Sequence, residues 1–202
     1  MPKRQFLKWI YVFGTEADTF MVTGTFPQEF EQQLSDDIKR SVLSSRINLK
    51  KQIDPYEGLH FKVADSSAFK VAKRMVNMIL MTEDGLFTPK PNPSPLFIAG
   101  SSVSQGMTFD DKEAFATERV KSIGTLTNVR ITFSNPITID GLNGFEIIAD
   151  TTHIKSQQSK IAYQVILFGD TDYYIMQGIA PRSEKKKYIK EFKALAHSFE
   201  RI

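Results

Sequence analysis

The sequence predicts an α+β protein: an antiparallel β-sheet flanked by helices, preceded by a β-hairpin and helix that resemble the C-terminal part of a second copy of the same unit. Three observations carry this. From residue 54 onward the order is strands, a helix, four strands and a closing helix, which is not a βαβ repeat. The stretch "FGTEADTFMVTGTFP" (13–27) returns as "FGDTDYYIMQGIAP" (168–181), with Gly24 and Gly178, and Pro27 and Pro181, both 154 positions apart. Sixteen Phe and a hydrophobic share of 41% supply a core for a chain of 202 residues.

The elements follow in order. Phe6 to Phe13 and Thr19 to Phe26 are β-rich runs around a turn at Gly14 to Asp18, a hairpin. After Pro27, Leu34, Ile38, Val42 and Ser45 share one helical stripe, predicting a helix of about 18 residues over the hairpin. "EGLHFKV" reads as a strand, and "AFKVAKRMVNMILMTEDG" continues the sheet, although Phe69, Ala72, Val76 and Ile79 also fit a helix. "TPKPNPSP" (88–95) holds four prolines at alternate positions and reads as an extended loop that shapes a groove rim.

"TFDDKEAFATERVKSIG" predicts a helix with Thr108 as N-cap, Asp111 three residues on and Gly124 beyond its end. "NVRITF" and "NGFEIIAD" are strands joined around "DGLNG". "KIAYQVILF", "GDTD" and "YYIMQGIA" form the last hairpin. Tyr188, Phe192, Leu195 and Phe199 give the closing helix the strongest periodicity in the chain, with Ser183 as its expected N-cap. Measured from each proline, Leu34 matches Tyr188 and Ile38 matches Phe192, with one residue inserted in the hairpin turn. Two units follow: residues 1–50, a hairpin-helix partial repeat, and residues 54–202, a complete domain. The missing strands of the first unit are expected upstream in a longer protein, in the complete domain, or in a second subunit.

The second unit resembles the PsbP-like family, which includes the photosystem protein PsbP, the Ran-binding protein Mog and many bacterial proteins. The residues that carry the resemblance are "YEGLHFKV", "NMILMTEDG" and "GFEIIADTTHIKSQQSKIAYQVILFGDTDYYIMQGIAP", followed by a terminal helix ending in "HSFERI". The resemblance implies an antiparallel sheet flanked by helices that serves as a binding or assembly module. It supplies no catalytic residues to carry over.

A net charge of +3 gives no general case for nucleic-acid binding, and zero Cys excludes disulfides and thiolate chemistry. "MPKRQFLKWIYVFG" reads as a strand, not a signal peptide, because Lys8 interrupts its apolar run. No uncharged run approaches the roughly 20 residues of a membrane span. The expectation is a soluble protein, periplasmic or exported if an upstream signal exists and otherwise cytoplasmic.

Catalytic chemistry is not legible. His60, His153 and His197 lie in separate elements without metal-ligand spacing. "GSSVSQG" (100–106) is neither a nucleophile nor a phosphate loop and reads as a surface turn. Asp110, Asp111 and Glu113 are weak metal candidates that also complement a helix N-terminus. Lys185, Lys186, Lys187 and Lys190, with Arg182 and Lys193, crowd the start of the last helix against its dipole, so an anionic partner is one reading and a solvated face the other. The expectation is therefore a non-enzymatic binding or assembly module with no cofactor. Its partner is an unknown protein or anion, and it could form a homo-oligomer through the N-terminal unit. A metal- or small-molecule-dependent enzyme with a groove site is the alternative.

Overall fold

The computed structural model describes residues 4–16, 19–48, 54–64, 66, 68–87, 95–103 and 111–202, which form two compact units, Met1–Gln52 and Ile53–Ile202. In the first unit β1 (Phe6–Gly14) pairs antiparallel with β2 (Thr19–Pro27). A 3-10 turn (Gln28–Phe30) then leads into α1 (Glu31–Leu43). The helix is shorter than its stripe predicts, and Ser45 lies beyond its end. It lies close on the hairpin because Gly24 has no side chain there: a Cβ at Gly24 would stand 2.3 Å from Ile38 Cγ2. Phe26 and Val42 are the buried pair, and Trp9 Nε1 donates to Ser35 Oγ at 3.0 Å.

The second unit is built on a seven-stranded antiparallel sheet. Its strands are β4 (Lys70–Met75), β5 (Met78–Thr82), β6 (Leu96–Val103), β7 (Leu126–Ile139), β8 (Leu142–His153), β9 (Ser159–Phe168) and β10 (Asp172–Pro181), in the spatial order β4-β5-β6-β10-β9-β8-β7. The α+β class and the antiparallel sheet are therefore observed. "AFKVAKRMVNMILMT" forms a hairpin, not a helix, and "EGLHFKV" contributes only β3 (Phe61–Lys62), paired with β11 (Glu200–Arg201). Gly100 to Val103 continue β6 and are not the expected turn; the rest of that motif, like residues 88–94 of the proline segment, lies outside the described residues.

The edges explain several residue choices. Lys70, Lys73 and Arg74 place charge on edge strand β4, which discourages pairing with another chain. Pro136 is tolerated in β7 because that strand is the other edge. β7 turns into β8 through Asp140 and Gly141, both with positive φ (51° and 73°), the Asp-Gly chemistry of a two-residue hairpin.

Each face of the sheet has its own helix. α2 (Lys112–Lys121) buries Ala116 and Val120 against Leu126, Ile147, Ala149, Ala162 and Ile166. Asp111, not Thr108, is its N-cap, its carboxylate accepting from the Ala114 N–H at 2.8 Å. The fully buried Gln164 fastens this layer by donating to the Ala116 carbonyl at 2.8 Å. On the opposite face α3 (Lys185–His197) buries Tyr188, Phe192 and Leu195 against Phe69, Phe97 and Tyr163. Ser183 is not its cap: it sits in a 3-10 turn (Arg182–Glu184), and the N-cap position is Glu184. Pro181 is the extended residue before that turn (φ −59°, ψ 136°), and no side chain caps the turn or the helix.

Each unit contains a hairpin followed by a helix. Glu31 and Lys185 begin 13-residue helices, and the register pairs Trp9↔Gly24 and Tyr163↔Gly178 stand at the same 154-residue separation. That separation holds through the turns. No residue is inserted, and the Phe-Gly match at the hairpin tips is one position out of register.

A Cβ at Gly178 would lie 2.5 Å from the Phe192 ring, and one at Gly144 would lie 1.8 Å from the Ile166 carbonyl oxygen. Gly178→Ala is expected to destabilise unit two by about 1–3 kcal/mol through overpacking. Gly144→Ala should cost more, because backbone cannot yield as a ring can. Gly124→Ala meets nothing within 4 Å and should be near neutral. Urea unfolding followed by circular dichroism checks the ranking.

Candidate functional site

Three places hold candidate chemistry: the basic start of α3, the acidic start of α2, and the surface of the N-terminal hairpin. At the first, β8 presents two carboxylates to the α3 side, Glu146 and Asp150, both buried. They are four positions apart on a strand, about 13 Å at 3.3 Å per residue. Lys185 and Lys193 are eight apart on α3, about 12 Å at 1.5 Å per residue. The spacings match. Lys185 Nζ donates to Asp150 Oδ1 at 3.0 Å, and Lys193 Nζ to Glu146 Oε2 at 2.8 Å.

Each carboxylate has further donors. Arg130 and Arg182 reach Asp150 Oδ2 at 2.8 and 3.0 Å, and the Tyr163 hydroxyl donates to Glu146 Oε1 at 2.8 Å. Burial works to raise the Asp150 pKa, but the Lys185 hydrogen bond and the charges of Lys185, Arg182 and Arg130 together hold it below the ordinary value. Burial, then the Glu146 charge, pushes the Tyr163 hydroxyl upward, so it stays a donor. Lys187 is held by Glu83 at 3.3 Å and Glu184 at 3.6 Å. Among the described residues Lys186 and Lys190 have no ion pair and are exposed. Most of the basic run that the sequence offers to an anionic partner thus serves the fold. The signal for this was missed: Glu146 and Asp150 share one parity in "GFEIIAD", an otherwise apolar strand, and so must face cations.

At the second place, Asp111 is occupied by the cap, and Glu113 Oε1 accepts from Ser134 Oγ at 3.1 Å; Asp110 lies outside the described residues. Asp111 and Glu113 line a groove of about 580 Å³ with Ile137, Phe145 and Phe168. Among the described residues no group of three potential ligands converges on a metal position. The histidines remain apart. His60 is exposed before β3 rather than in a strand, His153 is buried with Nδ1 3.0 Å from Ser156 Oγ, and His197 is exposed at the end of α3.

The third place is the hairpin. The strands put Trp9, Tyr11, Phe13 and Phe26 on the helix side and Phe6, Ile10, Val12 and Met21 on the other. Those four outer side chains are 54%, 56%, 57% and 68% exposed, large apolar groups left in water on one small face. Lys8 is the one charge of β1, and β2 carries none.

No family model matches the chain, and no curated protein matches it. Among solved structures, the chain is similar to LpqN of Mycobacterium tuberculosis, described as involved in cell envelope biogenesis, at 11% identity and a TM-score of 0.50, with 69% of this chain and 81% of that chain covered. It is also similar to cyanobacterial PsbP of Synechocystis, at 8% identity and a TM-score of 0.44, with 71% and 82% covered. A Bacteroides thetaiotaomicron protein matches at 9% identity and a TM-score of 0.42; 71% of this chain is covered, and only 45% of that one. The LpqN likeness shows a shared fold and assigns no family. Among the described residues no helix is long and apolar enough to cross a membrane.

A depressed carboxylate pKa gives stability that is complete above the unfolded value, about 3.9, and is lost as pH falls through the folded value. The wild type should therefore lose stability below about pH 4. Asp150→Asn should lower stability at pH 7 by on the order of 1–3 kcal/mol, discounted for its half-solvated cations, and should flatten that acid limb. Unfolding free energies measured from pH 7 to pH 3 test both; an unchanged acid slope in the variant would remove Asp150 from the account.

Proposed function

We propose that the chain is a non-enzymatic binding or assembly module that engages a protein partner through its N-terminal hairpin-helix unit. One observation carries the reading: among the described residues, a strand pair with apolar side chains on both faces has a helix on only one. A near-continuous apolar run such as "FLKWIYVF" belongs in a strand covered on both sides. Leaving Phe6, Ile10, Val12 and Met21 in water forgoes roughly 1.5–3 kcal/mol for each side chain that a partner could bury fully. A protein surface is the partner chemistry that suits this face, because the face is mainly apolar, with Lys8 within it and the Arg4 guanidinium 5.9 Å over the Phe6 ring at its end. The well-used carboxylates and lysines of the second unit support a scaffold role for that unit, since their charges are spent within the fold.

The face is testable without knowing the partner. A hydrophobic fluorescent dye should bind the full chain, and Val12→Lys/Met21→Lys should remove most of that signal while circular dichroism stays unchanged. Equal dye binding by the folded variant would mean that this face is not the accessible apolar surface and would remove the basis of the reading.

A further inference from the structure

We propose that two copies of the chain associate through β2, edge to edge and antiparallel, merging their hairpins into one four-stranded sheet. This rests on the reading of the hairpin-helix unit as the docking element and assigns the edge of β2 to a second copy, while the outer face with Phe6, Ile10, Val12 and Met21 stays uncovered in the pair. The second unit shows what this strand geometry requires. β10, which stands to α3 as β2 stands to α1, is not an edge strand. Its outer edge pairs with β6 over eight residues, from Asp172↔Val103 to Ile179↔Leu96. Among the described residues β2 has β1 on one side and no strand on the other.

Charge selects the edge and the occupant. Exposed edges are ordinarily protected by charged side chains, and edge strand β4 follows that rule with Lys70, Lys73 and Arg74. β1 carries Lys8, whereas Thr19–Pro27 has no charged residue. The unguarded strand is also self-complementary. Centred on Thr23, antiparallel pairing sets Thr23 opposite Thr23 of the second copy, Met21 opposite its Thr25, and Val22 opposite its Gly24. Threonine pairs favour such a seam, and no like charges meet across it. The merged sheet passes from two strands, marginal in water, to four. The interface is isologous, the same patch on both partners, as closed dimers require.

The experiment is sedimentation equilibrium of the full chain, with Thr23→Lys and Thr23→Glu, both at a solvent-facing position. The wild type should move with concentration from 23.0 kDa to twice that mass. Each variant alone should dimerise at least about tenfold more weakly, because like charges then face each other, and an equimolar mixture should recover the wild-type association. A wild type monomeric at every concentration, a Thr23→Lys chain that dimerises as the wild type does, or a mixture no better than its components would overturn the pairing. Dye binding separates the two failures. A monomer whose outer face still takes up dye loses the self-pairing and keeps the docking face, whereas a monomer that takes up none loses both.

Discussion

The second unit depends on the seating of Phe192 above Gly178. Only the absence of a side chain at Gly178 lets the ring approach the sheet, and the ring then meets Phe69, Phe97, Tyr163 and Tyr188 with centroid separations of 5.6–6.0 Å. That single approach sets the height of α3 over β9 and β10. It also brings the lysine ammonium groups within reach of β8, where hydrogen-bond geometry is satisfied only over a few tenths of an ångström. Packing comes first in this chain of causes, and the ion pairs follow from it.

The electrostatics of α3 make sense only in that setting. Cations in the first turns of a helix oppose its dipole, and buried carboxylates in a strand are costly to desolvate. Each feature is unfavourable alone. Together they compensate, because Asp150 collects three cations and Glu146 a phenol and an ammonium. The N-terminal unit gives the contrast. At the positions of Lys185, Lys186 and Lys187 the first helix carries Glu31, Gln32 and Gln33, and among the described residues the sheet of the first unit has only β1 and β2. Where no strand among the described residues offers carboxylates, the lysines of the first helical turn are replaced. Lys39, at the position of Lys193, lies over the Trp9 ring at 4.7 Å instead.

Parts of this were readable residue by residue. The stripe Tyr188, Phe192, Leu195 and Phe199 placed the closing helix and its buried face, although Phe199 lies beyond the helix end, and the recurrence of Gly24 and Gly178 before a proline marked two close helix-on-hairpin contacts. Local chemistry misled where it competed with context. Ser183 has a good capping side chain, but the proline-led 3-10 turn takes the chain into the helix without it. The basic run looked like a surface for anions because the residues that neutralise Lys185 and Lys193 lie 35 and 47 positions away in sequence. Neither separation falls within a helical or strand period, so no local pattern reveals it.

The sequence by itself determined the class of fold, the three helices, most of the strands though not β6, and the apolar faces of the first and last helices. These rest on short-range periodicity and on the steric demands of Gly and Pro, which act within a few residues. The tertiary structure alone decided which strands neighbour one another, which carboxylates the lysines meet, that Asp111 is spent as a cap, and that four large side chains of the N-terminal hairpin stay in water. Each of those outcomes depends on distances between segments far apart in the chain, and only the packed sheet sets them.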